Sequence, residues 1–261
     1  MTLTETGETP VLYEAKDHIG WITLNRIRVL NALDNNLVAR LAEVAEAAAG
    51  DPNVMLVVVR GAGRAFCSGM DRTALADSSI AESFFRNWAR ALNCLEDMPK
   101  ISVAVMHGYS IGGGLQLALS CDLRIATDDS IIELGATRHG LVPDGAVLRL
   151  ARVVGLGRAK QLALLNERVT PAEARAMGLV NYVCPPAECE AVLGGIIEKV
   201  RGCSPTATAE TKLMLNESFQ NDPRMLADEL IRAQNACLQS WELEEANQAW
   251  NQRREPRFYK D

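Results

Sequence analysis

Apolar and polar residues alternate from Val11 to Lys16 and again from Ile19 to Leu24, with Asp17 and His18 between them, which predicts two strands joined by a tight turn. After Asp34, a suitable N-cap, the residues Leu37, Val38, Leu41, Val44, Ala45 and Ala48 recur at helical spacing as far as Gly50, and Asp51-Pro52 then breaks the pattern. Val54 to Val59 is an unbroken apolar run, the pattern of a strand covered on both faces. A helix is predicted over about 80–96, carrying Phe84, Phe85, Trp88, Leu92 and Leu95. A second buried strand follows from Ile101 to Met106, and Leu123 to Ala126 and Ile131 to Leu134 are shorter candidates. Beyond residue 155 the pattern becomes helical, with starts at Thr170-Pro171-Ala172-Glu173, Ser204-Pro205 and Asp222-Pro223. Strands with crossover helices, then helices alone, predict an α/β core over residues 1–195 and a helical C-terminal region over 196–261.

A chain of 261 residues can bury a sizeable core without cross-links. Its seven cysteines are scattered, with no CxxC pair and no histidine at ligand spacing, so we expect a reducing compartment and no metal. The net charge of −6 comes from interspersed acids and bases, which argues against a nucleic-acid partner or an anionic membrane surface. The opening segment MTLTETGETP has no apolar stretch typical of a signal peptide, and no apolar run approaches the roughly 20 residues that span a bilayer, so a cytoplasmic protein is expected. At the other end Arg253, Arg254, Arg257 and Lys260 surround Phe258 and Tyr259, either as a cradle for a phosphate-bearing ligand or as a solvated end.

Two glycine-rich turns carry the candidate chemistry. Gly61 to Asp71 leaves the first buried strand, and His107 to Gly114 leaves the second and enters the apolar helix Leu115 to Ser120. Neither contains GxGxxG or the GK[ST] of a P-loop. Consecutive glycines at a helix start let a ligand approach the backbone and leave amides free at the positive end of the helix dipole, an anion or oxyanion site; the alternative is that Gly112 to Gly114 serve close packing alone. Gly108-Tyr109-Ser110-Ile111-Gly112 also matches the GxSxG nucleophile elbow, which would make Ser110 a hydrolase nucleophile. That reading needs a later acid and histidine, and the only downstream histidine is His139.

The same turns resemble the crotonase family, the enoyl-CoA hydratase/isomerase superfamily, over nearly the whole chain. Asn25 to Leu33 is similar to its NRPxxxNAL segment, Ala65 to Asp71 to its AFxxGxD loop, Gly108 to Asp122 to its GxxxGGGxxLxxxCD segment, Thr170 to Val183 to its TPxEAxxxGLVxxV stretch, and Phe258 to Asp261 to its tail. The resemblance implies an α/β crotonase-like fold of repeated ββα units in a spiral core, with a C-terminal helical trimerisation region. It further implies a homotrimer or a dimer of trimers, with coenzyme A as part of the substrate and no separate cofactor. By the same resemblance the amides of Met70 and Gly113 hold the thioester oxygen, and Arg28, Ser68, Gly69, Asp71, Gly112, Phe258 and Lys260 bind CoA or substrate.

Where hydratases of the family carry two glutamates this chain has Gln116 and Ala136. Gln116 can hydrogen-bond a water but cannot take its proton. Glu133 is a substitute if the register slips. Asp144, in Val142-Pro143-Asp144-Gly145, stands where several isomerases of the family place a single acid, with capping of a helix predicted from Gly145 to Arg152 as its structural alternative. A lone carboxylate suits allylic isomerisation of an enoyl-CoA. The alternatives are hydration or lyase chemistry using Asp144 or Glu133 with Gln116 positioning water, a dehalogenase-like use of Asp144 as nucleophile, and acyl-CoA binding without catalysis. His107 is read as a hydrogen-bonded strand end and His139 as structural or as orienting Asp144, while Arg28 and Lys260 are candidates for CoA phosphate.

Overall fold

A computed structural model describes residues 9–219, 221–222 and 224–259. Strands β1 (Val11–Lys16) and β2 (Ile19–Leu24) form an antiparallel hairpin. Asp17 and His18 both take positive φ, 53° and 64°, as a two-residue turn between right-twisted strands requires. Helix α1 (Asn35–Gly50) starts at Asp34, whose carboxylate accepts from the Leu37 amide. The chain continues through β3 (Leu56–Gly61), α2 (Arg72–Ala76), α3 (Glu82–Asp97), β4 (Ile101–Met106), β5 (Tyr109–Ile111), α4 (Gly113–Leu119), β6 (Leu123–Thr127) and β7 (Ile131–Glu133). Next come α5 (Asp144–Val147), α6 (Leu150–Val154), α7 (Leu156–Leu165), α8 (Pro171–Ala176) and the last strand, β8 (Tyr182–Cys184). Only helices follow: α9 (Cys189–Arg201), α10 (Pro205–Glu217), α11 (Ala227–Leu238) and α12 (Trp241–Gln252).

The main sheet has the order β1-β2-β3-β4-β6-β8 and is parallel from β2 onward. Successive residues of β3 point to opposite faces, and both faces are buried. Val57 and Val59 join the core with α1 and α3, while Leu56 and Val58 meet Leu193, Ile196 and Val200 of α9. Hence the apolar run shows no alternation. The strand begins at Leu56 rather than Val54, because the Val54 and Met55 amides are committed to the Asp51 and His18 carbonyls.

A second, narrower layer repeats the path of the first. After β2 the chain bridges Leu33 to Met70; after β3 it bridges Cys67 to Ser110; after β4 comes β5, paired in parallel with β7. Each turn of the chain thus contributes a long strand, a short strand in the second layer and a helix, the repeated ββα spiral that the resemblance implied. Asn31 fastens the first turn to the second: its amide nitrogen donates to the Ala62, Ala65 and Phe66 carbonyls, and its oxygen accepts from the Arg26 amide.

Two helix boundaries also differ from the sequence reading. The helix predicted over 145–152 is two short ones, α5 and α6, separated at Leu148 and Arg149. The helix expected at Asp222-Pro223 begins at Ala227, and Pro223 lies outside the described residues. The capping box at Thr170 and the Ser204 cap stand as read. Buried Lys212 anchors α10, pairing with Asp122 at 2.8 Å and donating to the Lys100 carbonyl.

Candidate active site

The exits of β3 and β4 lie side by side because those strands are neighbours in register, Arg60 opposite Val105. The loops pack backbone to backbone. A Cβ on Gly69, whose φ is +92°, would lie 2.9 Å from the Ile111 carbonyl oxygen; one on Gly112, φ +55°, would lie 3.3 Å from the Leu134 oxygen. Gly114 could not carry a side chain either, since its Cβ would meet the Cys67 oxygen at 2.3 Å. Packing and exposure of amides are therefore joint reasons for the three glycines. In the parallel bridge Leu33 donates to the Gly69 carbonyl and accepts from the Asp71 amide, which turns the Met70 amide to the other side. Gly113 is the first residue of α4, where an N–H has no intrahelical acceptor. Among the described residues neither of these amides donates to another group.

Met70 and Gly113 open onto a cavity of about 650 Å³. It also brings together Ser68, Gly112, Gln116, Glu133 and Asp144 with an apolar wall that includes Phe84, Phe85, Trp88 and Leu141. His139 and Ala136 are on its rim. Arg28, Gly69, Asp71 and Phe258 are not among the lining residues. Arg28 is exposed on a single turn of 3-10 helix after β2. Asp71 caps α2 through the Thr73 and Ala74 amides and pairs with Arg26 at 3.0 Å, so its carboxylate fixes the loop. Phe258 is buried edge-on against Trp241. The basic tail is partly neutralised within the chain: Arg254 pairs with Glu245 and, with the Arg257 amide, holds the Glu245 carboxyl down at about 2. Lys260 lies outside the described residues.

The two lining carboxylates have opposite surroundings. Glu133 is buried, with one oxygen accepting from Arg138 at 3.2 Å and the other from Arg168 at 3.3 Å. A guanidinium engages each of its oxygens, so the carboxylate is committed to its neighbours rather than presented to a substrate. Asp144 is the first residue of α5, not its cap, and its carboxyl is raised above the usual aspartate range by burial. The Gly145 and Asp144 amides, the Trp88 indole and, more distantly, the Arg149 guanidinium oppose that rise. Gln116 is 5% exposed, and its side-chain oxygen accepts from the Gly145 amide at 2.8 Å.

Ser110 does not take the place of a nucleophile. Its hydroxyl is buried without a hydrogen-bond partner, and the residue does not line the cavity, so no base reaches it. His107 Nε2 donates to the Gly63 carbonyl oxygen, 3.0 Å away, as a strand-end residue. The sequence reading passed over Trp88, Asn31 and Arg149. Arg149 carried a signal, a cation within the apolar stretch Ala146 to Val154, and it is buried with its charge against Glu96.

The chain is similar to known proteins along nearly its whole length. The family model for enoyl-CoA hydratase/isomerase matches residues 14–261. A short-chain-enoyl-CoA hydratase of Clostridium acetobutylicum is 31% identical over 216 residues, 81% of this chain and 83% of that protein. A peroxisomal Delta(3,5)-Delta(2,4)-dienoyl-CoA isomerase of Arabidopsis thaliana is 30% identical over 255 residues, 92% of each. The crystal structure of an enoyl-CoA hydratase/isomerase from Marinobacter aquaeolei superposes with a TM-score of 0.88 at 29% identity, covering 96% of this chain and 99% of that one. With two neighbouring glycine turns, a cavity between them and this match along its length, the chain belongs to the enoyl-CoA hydratase/isomerase family.

Proposed function

We propose that the chain catalyses isomerase-type proton transfer on an enoyl-CoA, with Asp144 as the base and the amides of Met70 and Gly113 as an oxyanion hole. The observation that carries this reading is the contrast between the two cavity carboxylates: Glu133 is occupied by two arginines, whereas Asp144 is desolvated with its carboxyl raised. A raised carboxyl both accepts a proton more readily and returns it, as one base serving two carbons must. In a 3-enoyl thioester Asp144 takes a proton from the α carbon, and the electron pair moves into a dienolate whose oxygen lies against the two amides. The same carboxylic acid then returns the proton to the γ carbon, and the double bond becomes conjugated with the thioester. Each amide of this type contributes about 2.7–4 kcal/mol where charge develops.

Hydration requires a second group to activate water, and Gln116 and Ala136 cannot take a proton. The apolar faces of α10 to α12, with Trp250 83% exposed, support self-association of copies as the partner interaction. The test is growth of the conjugated 2-enoyl thioester band when 3-enoyl-CoA is mixed with the protein. Asp144→Asn should lower that rate about 10²- to 10⁴-fold, while Glu133→Gln retains most of it. Turnover that survives Asp144→Asn, or hydration of 2-enoyl-CoA with no conversion of the 3-enoyl isomer, overturns the proposal.

A further inference from the structure

Helix α5 has four residues, too few to hold itself in place by its own hydrogen bonds. Its N-cap is Pro143, whose side chain can accept nothing from the first-turn amides. Yet this single turn carries Asp144. Something outside the helix must fix its orientation, and the peptide groups on either side of Gly145 are where that occurs.

The Gly145 amide donates to the Gln116 side-chain oxygen at 2.8 Å, so Gln116, from α4, supplies the cap that Pro143 lacks. The Gly145 carbonyl accepts from Arg149 Nη1 at 3.2 Å. Both side chains are buried, 5% and 4% exposed. The approach is close: a Cβ on Gly145 would fall 2.5 Å from Leu92 Cδ1 of α3 and 2.8 Å from the Gln116 oxygen of α4, so both side-chain ends would have to move to admit one. Arg149 is itself held, its other nitrogen donating to Asn93 and pairing with Glu96, which also binds Arg152.

We propose that Gln116 and Arg149 are positioning residues, a clamp on Gly145 from its two sides that aims the Asp144 carboxylate at the reacting carbons. The inference rests on the reading of Asp144 as the base. It also gives a physical reason for an amide at position 116. A carboxylate there could accept the same bond from Gly145, but it would set a like charge beside Asp144 and hinder formation of the carboxylate that must act. The neutral glutamine supplies the contact without the charge. The surrounding groups are consistent with this: α3 brings the neutral Trp88 indole, α4 the neutral Gln116, and the turn into α6 the Arg149 cation. Arg72, Glu133 and His139 line the same cavity.

The experiment compares Gln116→Met, Gln116→Glu, Arg149→Lys and Asp144→Asn with the unaltered protein in two measurements. The first is the pH profile of kcat and KM on 3-enoyl-CoA. Gln116→Met, similar in volume but unable to accept the bond, should lower kcat about 10- to 100-fold with little change in KM, the cost of a misplaced catalytic group. Gln116→Glu should recover most of kcat at high pH, with the acid limb of its profile displaced to higher pH. Arg149→Lys, which keeps the charge but loses the fork, should lower kcat as Gln116→Met does. The second measurement is amide hydrogen exchange of the 143–148 segment, which needs no turnover. Loss of the Gln116 acceptor should speed exchange at Gly145 by roughly five- to tenfold. Unchanged exchange, or an unchanged kcat in Gln116→Met beside an inactive Asp144→Asn, sinks the clamp and leaves the base intact. An active Asp144→Asn sinks the base itself, whatever the position 116 variants do. Equal losses in Gln116→Met and Gln116→Glu with no displacement of the acid limb also overturn the clamp.

Discussion

Asn31 offers a measure of how much of the site is fixed before any substrate contact. Its side chain is fully buried and joins the first turn of the spiral to the second. Among the described residues no backbone amide donates to the Ala62, Ala65 or Phe66 carbonyls, so Asn31→Ala leaves these and the Arg26 amide without their partner. Counting two bonds for the NH2 group and one accepted from Arg26, at about 1 kcal/mol each, gives about 3 kcal/mol. Asn31 also has φ +56°, a conformation costing alanine about 1 kcal/mol more. The sum is about 4 kcal/mol, which for a chain of this size corresponds to a fall in Tm of about 8–16 °C. Scanning calorimetry on a three-variant set separates the contributions. Asn31→Gly should fall less than Asn31→Ala, since glycine tolerates the positive φ. Asn31→Asp should fall furthest at neutral pH, because an anion would then face three carbonyl oxygens. A loss below about 1 kcal/mol for Asn31→Ala, or an Asn31→Asp variant as stable as the wild type, would refute the accounting.

Two further outcomes follow from the same geometry. Gly69→Ala should cost about 10²-fold in turnover, read in the 3-enoyl-CoA assay, because its Cβ would press on the Ile111 carbonyl and separate the two amide-bearing loops. Asp144→Asn should melt higher than the wild type at pH 7, with the difference closing as pH falls to the ordinary aspartate value of 3.8. The folded carboxyl is raised above its unfolded value, so its favourable contribution is complete below the unfolded pKa and is lost as pH rises through the folded one. Equal melting temperatures at both pH values would contradict the raised carboxyl.

What could be read from the sequence follows the range over which each feature is determined. β1, β2 and β4 begin and end where alternation or an apolar run places them, and α1 begins one residue after its cap, because strand period and cap chemistry are local. The two glycine turns were visible for the same reason. The fate of Glu133 was not, since one of its partners, Arg168, is 35 residues away in sequence. Nor was the break between α5 and α6, which falls at Arg149, a side chain held by Glu96 and Asn93 of α3. Periodicity through Ala146 to Val154 shows a helix face but cannot show a cation reaching back to the Gly145 carbonyl. The family resemblance raised Asp144 as a candidate acid, with capping as the alternative; its surroundings come from three other elements.

On the proposed reading, the spiral divides the catalytic task between backbone and side chain. Both amides belong to turns that the second-layer bridges and steric exclusion at Gly69, Gly112 and Gly114 hold together, and no replacement at Met70 other than proline would remove its N–H. The proposed base, Asp144, stands on the next turn of the chain, after β6 and β7, on a helix too short to orient itself. A change there moves or replaces an acid without disturbing the amides, because β5 and β7 are already paired and the Gly112 amide is bonded to the Glu133 carbonyl. On that reading the acid on α5 can be exchanged for another group while the two amides stay in place. In this chain the difference rests on one desolvated carboxylate, a neutral glutamine beside it and a glutamate withdrawn by two arginines.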